Sequence, residues 1–167
     1  LIHGAGGEDG VIQSWLDHID VRYVGSDAKS SELSFSKTKT KNIWHESGLS
    51  TPDYLSNIAL ESWMLTAISI YNKRKLTDDT SSIDKEINEK INSFFEKYDK
   101  YILKPDCSGS SVGIKIFNNP DDLNNYLKPF WKDYLDNAST KYFLETYISG
   151  SEYTAPIIGN TVFPIIK

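Results

Sequence analysis

Residues 104–113 read Lys-Pro-Asp-Cys-Ser-Gly-Ser-Ser-Val-Gly, and the interpretation of the whole chain starts from this stretch. An apolar run at 101–103 precedes it and Ile-Lys-Ile at 114–116 follows it, so the pattern predicts a glycine-rich loop between two strands. Such a loop can fold over a phosphate chain, because glycine permits close backbone approach and serine hydroxyls and N–H groups face the oxygens. The Walker and GxGxxG patterns are absent. A plain Gly/Ser hairpin beside a surface lysine, Lys104, is an equal alternative on these residues alone.

Composition excludes several classes of function. The chain has 167 residues, 39% hydrophobic and 25% charged, with a net charge of −5, which is typical of one domain or parts of two. The negative net charge and the presence of only two arginines, Arg22 and Arg74, argue against nucleic acid as a partner. No apolar run approaches the roughly 20 residues of a membrane span. The single cysteine, Cys107, excludes an internal disulfide and favours a reducing, cytoplasmic location.

A glycine-dense turn opens the chain at residues 3–10, after two apolar residues that predict a strand end. Val11, Ile12, Trp15, Leu16 and Ile19 then recur at helical spacing, and Asp9 is the predicted N-cap of that helix. The order strand, turn, helix favours an anion near the helix start. His3 would face the same crevice, although a hydrogen-bonded structural histidine is the ordinary alternative.

The middle of the chain predicts several further elements. Residues 21–24 predict a strand, and a lysine-bearing helix begins near Ser36 and ends at Gly48. Within it, Lys41 is the best candidate to point inward at an anion, since Ile43 and Trp44 lie beside it. The stretch 55–82 is compatible with helix or strand. A loop is predicted at 78–82, followed by an amphipathic helix over 83–98. A further helix is capped by Asn119, and its apolar side continues through Tyr134 and Leu135. The C-terminal part predicts a strand over 142–148 and a hairpin that turns at Gly159-Asn160.

Four stretches together resemble one family. The sequences HGAGGEDGVIQ (3–13), YVGSDAKSSELSFSKTKTK (23–41), KPDCSGSSVGIK (104–115) and FLETYISGSEYT (143–154) are similar to four motifs of D-alanine–D-alanine ligases, in the same order. The spacing matches except over 54–100, where this chain carries extra residues. Ser36 departs from the pattern, because the family usually has aspartate there.

The resemblance implies an α/β chain with the ATP-grasp fold, whose α+β lobes hold ATP between them behind a Rossmann-like N-terminal domain. We expect residues 1–30 to complete that N-terminal domain, 31–141 to form the central lobe, and 142–167 to begin the C-terminal lobe. Both ends of the sequence interrupt strand-like runs, so we expect an internal piece of a longer protein. The implied reaction joins two D-alanines through an acyl-phosphate, for synthesis of peptidoglycan precursors that maintain cell shape.

The resemblance also implies roles for single residues. On the substrate side, Ser110 would help to position the first D-alanine and His3 would lie close to it. Glu145 would lie near the adenine amino group, Thr146 and Ile148 would offer backbone hydrogen bonds to the adenine edge, and Glu152 would accept the ribose hydroxyls. The full set of expected ATP contacts is Lys41, Lys104, Ser108, Gly109, Ser111, Gly113, Glu145, Thr146, Tyr147, Ile148 and Glu152.

The implied cofactors and partners are ATP, Mg²⁺ and D-alanine, with the Mg²⁺ ligands expected beyond Lys167 and a homodimer expected for the full-length protein. Without those ligands, we expect the 167 residues alone to make no dipeptide. Two alternatives stay open from the sequence. One is a D-alanine–D-lactate ligase, and the other is a non-catalytic nucleotide-binding module that has kept the loop and lost the metal site.

Overall fold

The structure, a computed structural model, describes residues 2–71, 82–130 and 140–167. Its helices are α1 Val11–His18, α2 Ala28–Phe35, α3 Lys37–Glu46, α4 Asn57–Tyr71, α5 Ser82–Lys97 and α6 Pro120–Leu127, followed by a 3₁₀ turn at Lys128–Phe130. Its strands are β1 Tyr54–Leu55, β2 Tyr101–Pro105, β3 Lys115–Phe117, β4 Tyr142–Thr146, β5 Ile157–Ile158 and β6 Thr161–Val162.

A four-stranded antiparallel sheet organises the central part of the chain. Its strand order is β1-β4-β2-β3, and β5 and β6 form a separate two-stranded hairpin. Leu103 pairs with Leu144 across β2 and β4, and Leu144 pairs with Leu55 of β1, so all three point to one face. That face is covered by α4, α5 and α6, and together they bury an apolar core: Leu55, Ala59, Leu60, Met64, Ile91, Phe94, Tyr101, Leu103, Phe117, Leu123, Leu127 and Leu144.

The opposite face of the sheet carries polar residues. Because strand residues alternate between faces, Ile102 and Lys104 of β2 point away from the helical core, as do Tyr54 of β1 and Glu145 of β4, its pairing partner. The candidate site described below is built on this face.

Local sequence signals explain where the helices begin. Ser36 accepts a hydrogen bond from the Lys39 amide at the start of α3, and Asn119 accepts one from the Asp122 amide at the start of α6. Ser56 does the same for Ala59, and this cap favours helix for α4, which the apolar pattern left ambiguous. The predicted amphipathic helix, the loop between strands and the hairpin are all present.

Two predicted details near the N-terminus are wrong. Residues 21–24 form no strand, because no other strand of the described chain lies beside them; instead the Val21 amide bonds to Leu16 O and closes α1. The N-cap of α1 is Gly10, in a left-handed conformation, and not Asp9. The Asp9 carboxylate still satisfies the Val11 amide at 3.1 Å, and it also accepts from the Gly6 amide at 2.8 Å.

Two predicted domain boundaries fall within elements of the structure. β4 pairs with β2 along its whole length, so Tyr142–Thr146 belongs to the central sheet, and a boundary at 142 would cut through that sheet. The boundary at 30 falls within α2. The division into three units otherwise stays a prediction. Residues 78–81, Tyr134 and Leu135 lie outside the described residues, so the loop and helix continuation predicted there have no structural counterpart to compare.

No helix among the described residues has the length and apolar character that crossing a membrane requires.

Candidate functional site

Two lysines and one carboxylate meet on the polar face of the sheet. The Lys104 ammonium lies 2.5 Å from Glu145 Oε2, and the Lys41 ammonium pairs with Glu145 Oε1. Lys104 and Glu145 stand on adjacent strands in diagonal positions, within reach of a long side chain. Lys41 reaches the same carboxylate from α3, which lies over this face.

Burial separates the two lysines. The side chains of Lys41 and Glu145 are each only 6% exposed, whereas that of Lys104 is 24% exposed. Lys41 also donates to Thr51 Oγ1 at 2.6 Å and to the Pro52 carbonyl at 2.9 Å, so its three N–H donors are all occupied. Lys41 therefore points inward at an anion as predicted, but in this structure the anion is Glu145. The contact expected between Lys41 and an ATP phosphate stays a prediction, and that contact would require Lys41 to break one of its three present bonds.

The charge balance at this site favours an anionic ligand. One carboxylate, Glu145, faces two ammonium groups, so the cluster carries a net positive charge. Lys104 is the more exposed of the two cations, and from its ion pair with Glu145 it can turn toward an incoming anion. A phosphate would gain a charge-assisted hydrogen bond there.

A cleft of about 240 Å³ adjoins this cluster and brings together most of the residues expected to contact ATP. Its lining is Pro52, Ile102, Lys104, Glu145, Thr146, Tyr147, Ile148, Ser149, Gly150, Ser151 and Glu152. A larger cleft of about 500 Å³ lies between α3, β1 and α5, beside His45, Lys90 and Lys97, and holds none of the predicted site residues. The smaller cleft is the better candidate, because it combines an apolar wall with the charged cluster.

Some backbone groups predicted to bind adenine, at the end of β4 and just after it, already have hydrogen-bond partners within the protein. The Thr146 amide already donates to the Asp53 carbonyl at 3.0 Å, so only the carbonyl of Thr146 is left for the predicted contact. The Tyr147 amide is likewise bonded to the Lys100 carbonyl, and the Tyr147 ring lies 4.4 Å from the Lys100 ammonium. Ile148 is 66% exposed at the cleft, and its backbone role stays a prediction.

The glycine-rich loop adopts a backbone that few residues tolerate. Ser110 and Ser111 have φ values of 53° and 57°, and Gly113 has φ 76°. Successive left-handed residues turn the chain sharply, and the Val112 amide closes the turn on the Gly109 carbonyl. The loop is exposed apart from the half-buried Ser108, and the 240 Å³ cleft is not lined by Ser108, Gly109, Ser110, Ser111 or Gly113.

The loop instead approaches the N-terminal turn that carries His3. A Cβ built on Gly109 would lie 3.7 Å from Glu8 Oε2. The Glu8 carboxylate accepts a hydrogen bond from the Gly4 amide at 2.7 Å, which holds the pKa of Glu8 below its usual range, and it pairs with His3 Nδ1 at 3.4 Å. The structure thus brings the loop and the His3 turn together, as the two substrate-side predictions require.

Lys37 is a site residue that sequence reasoning missed, because a lysine in a charged helix is usually solvated. Its ammonium donates to three backbone carbonyls at the root of the loop, those of Pro105 at 3.2 Å, Asp106 at 3.1 Å and Ser108 at 2.5 Å. Burial lowers the pKa of Lys37. The available signal was its four-residue spacing from Lys41, which places both lysines on the inner face of α3.

Gly113 provides a test of the loop geometry. We expect Gly113→Ala to destabilise the protein by about 1–3 kcal/mol, because the position has positive φ and an added Cβ would lie 2.9 Å from Pro105 Cγ. Gly48→Ala is the matched control, since Gly48 has φ +72° but nothing within 4 Å of the added atom. Chemical denaturation measures both. Equal losses would show that backbone strain alone matters and that the contact with Pro105 does not.

The described residues include no group of three or more His, Cys, Asp or Glu side chains arranged to hold a metal ion. We therefore assign no metal ligand to this part of the chain.

Comparisons with known proteins show which proteins this chain resembles. No protein-family profile matches the chain. A curated D-alanine–D-alanine ligase from Buchnera aphidicola subsp. Schizaphis graminum is 33% identical over 166 residues, covering 99% of this chain and 46% of the relative. The crystal structure of a D-alanine–D-alanine ligase from Bacillus anthracis aligns with 98% of this chain and 44% of its own, with a TM-score of 0.66 at 26% identity. The chain is thus similar to D-alanine–D-alanine ligases along 99% of its own length.

The ligase relatives confirm the expected resemblance and the predicted α/β, ATP-grasp fold. The alignment also runs through residues 54–100, where the spacing of the four motifs does not match. A second Bacillus anthracis ligase structure, described as complexed with ATP, matches with a TM-score of 0.65 at 23% identity over 98% of this chain and 44% of its own. The chain spans less than half the length of these ligases.

Proposed function

We propose that the protein is an ATP-dependent ligase that joins two D-alanines through an acyl-phosphate intermediate, in the synthesis of peptidoglycan precursors. The observation that carries this proposal is the Lys104–Glu145 pair, which opens into the 240 Å³ cleft on the face of the sheet opposite the core. A cation at the mouth of a half-apolar cleft suits a nucleotide, which has an apolar base at one end and phosphates at the other.

On the nucleotide side, the base would lie against Ile148 and the carbonyl of Thr146, with Tyr147 between them. Glu145 would accept a hydrogen bond from the adenine amino group. Glu152 would accept hydrogen bonds from two ribose hydroxyls, as a carboxylate can. Lys104 would turn toward the phosphates, and the amides and hydroxyls of the loop would close over them. Lys41 would hold the Glu145 carboxylate in place.

On the substrate side, the first D-alanine would lie between the loop and the N-terminal turn. Ser110 would hydrogen-bond to it, and His3 would contribute a second polar group from the opposite side. One carboxylate oxygen of this D-alanine attacks the γ-phosphate of ATP and ADP leaves. The amine of the second D-alanine then attacks the acyl carbon, loses a proton and displaces inorganic phosphate. Positive charge at the phosphates stabilises both transition states.

Three wider expectations accompany the proposal. Mg²⁺, with its ligands expected beyond Lys167, would offset the negative charge of the ATP phosphates. The location would be the cytoplasm, where ATP is available and a lone cysteine stays reduced. The full-length protein would be a homodimer, which sedimentation equilibrium can measure.

The test is an assay of the protein expressed from its complete reading frame. We expect phosphate release and dipeptide formation that require ATP, Mg²⁺ and D-alanine together. A second reaction with D-lactate as the acceptor should give little product, since the curated ligases that this chain resembles carry D-alanine in their names. Comparable depsipeptide formation would point to a D-alanine–D-lactate ligase. ATP binding without any turnover would point to a non-catalytic nucleotide-binding module.

Ser110 separates the two halves of the proposed site. We expect Ser110→Ala to raise the KM for D-alanine about tenfold while the KM for ATP changes little, because the variant removes a hydrogen bond to the substrate only. Ser111→Ala is the matched neighbour, with nearly the same φ, and should affect the KM for ATP instead. Steady-state kinetics with each substrate varied in turn measures both. The reverse pattern would mean that the loop faces the other way.

A further inference from the structure

Asp106 stands at the root of the glycine-rich loop, where three chain segments meet. Its carboxylate accepts hydrogen bonds from the Ser36 hydroxyl at 2.6 Å and from the Thr38 amide at 2.7 Å. Its backbone carbonyl accepts from the Lys37 amide at 3.2 Å, and its own amide donates to the Lys141 carbonyl at 2.7 Å. The neighbouring Cys107 thiol lies 3.6 Å from the carboxylate.

The three segments joined by Asp106 are those that carry the charged cluster. The start of α3 lies against Asp106, and Lys41 stands one turn further along that helix. β2 ends one residue before it and bears Lys104, while Lys141 leads directly into β4 and Glu145. A shift of Asp106 would therefore alter the relative positions of all three charged groups and of the loop that follows.

The α3 N-terminus explains why a carboxylate is needed there. The first amides of a helix lack intrahelical partners and carry partial positive charge, which an anion satisfies well. Ser36 caps the Lys39 amide, and the Asp106 carboxylate takes the Thr38 amide from outside the helix. Because Ser36 Oγ and Asp106 Oδ2 are only 2.6 Å apart, the pair has room for one carboxylate and one hydroxyl.

We propose that Asp106 is a positioning residue that anchors the glycine-rich loop to the start of α3 and thereby sets the affinity of the site for ATP. The role rests on the proposed function only in naming ATP as the ligand. The anchoring itself concerns contacts within the chain. It also accounts for the departure at position 36, since the acidic member of the pair stands at position 106 in this protein.

The first test is kinetic and uses the protein from the complete reading frame. We expect Asp106→Ala to raise the KM for ATP about tenfold while the KM for D-alanine changes less than twofold. Cys107→Ser is the matched control, since it changes the adjacent loop residue and should leave both KM values unchanged. A KM for ATP within twofold of wild type in Asp106→Ala would overturn the proposal.

The second test exchanges the two side chains. Ser36→Asp alone should weaken ATP binding, because it places two carboxylates side by side. The double variant Ser36→Asp/Asp106→Ser should recover most of the loss, because the pair again has one carboxylate and one hydroxyl. Simple additivity of the two single effects would contradict the proposed pairing.

A third measurement separates failure of this proposal from failure of the proposed function. Hydrogen exchange of the amides at 37–38 and 108–113, measured without nucleotide, should be faster in Asp106→Ala than in wild type and unchanged in Cys107→Ser. Unchanged exchange in Asp106→Ala would overturn the anchoring role, whatever the enzyme does. Faster exchange in a protein that forms no dipeptide would uphold the anchor and refute the ligase function.

Discussion

Glu145→Gln is expected to destabilise the protein by about 3–5 kcal/mol, the largest effect predicted for a single substitution in the site. The glutamine keeps the shape of the side chain but removes its charge, and Lys41 is left buried among neutral groups, including the Thr51 and Pro52 oxygens. Removing one member of a buried ion pair costs more than the pair itself contributes, because the other charge is then uncompensated. Urea denaturation monitored by circular dichroism measures the loss.

Glu61→Gln is the control for this prediction. Glu61 pairs with Lys141 at 3.3 Å, but the side chains are 27% and 46% exposed, so its loss should cost less than about 1 kcal/mol. The double variant Lys41→Met/Glu145→Gln should be more stable than Glu145→Gln, since it removes the uncompensated charge. If Glu145→Gln were no worse than Glu61→Gln, the buried pair would contribute nothing to stability.

Lys104→Ala is expected to weaken ATP binding about 10- to 100-fold and to slow phosphoryl transfer, with a smaller effect on stability. The reason is that a phosphate within the site would lose a charge-assisted hydrogen bond, while Glu145 would keep Lys41 as its partner. The partial exposure of Lys104 limits the effect on folding. Titration with a fluorescent ATP analogue and steady-state kinetics measure the two effects.

Lys115→Ala is the control for Lys104→Ala. Lys115 is an exposed lysine on β3, in the same sheet, and pairs across the strands with Leu103. Its loss should leave the ATP affinity unchanged. Wild-type turnover and a wild-type KM for ATP in Lys104→Ala would remove that residue from the proposed site.

Local patterns in the sequence accounted for much of the fold. The 3.6-residue periodicity over 11–19 and 83–98, the Asn119-Pro120 helix start and the Gly159-Asn160 turn all depend on neighbours in the chain, and all are present in the structure. The strand–loop–strand around Gly109 and Gly113 was predictable for the same reason. The resemblance in four motifs added the family and the ATP-grasp fold, which no single motif would have supported.

Predictions that depended on distant partners succeeded less often. Residues 21–24 have strand-forming side chains, but a strand also needs a neighbour to share hydrogen bonds, and the described chain offers none there. The boundary predicted at 142 stays a prediction, although the pairing of β4 with β2 joins residues about 40 positions apart across it. The strand predicted over 142–148 did not show which groups Glu145 would meet.

The sequence by itself determined most of the helices, which loop can approach a phosphate, and which family the chain resembles, because these depend on local propensity and on motifs in a fixed order. Only the tertiary structure decided the partners of the charged groups. It paired Lys41 and Lys104 with one carboxylate, turned Lys37 onto three loop carbonyls, and placed Asp106 against Ser36, 70 positions away. A lysine in a helix carries no local signal for its partner, since burial and long-range packing choose which charges meet.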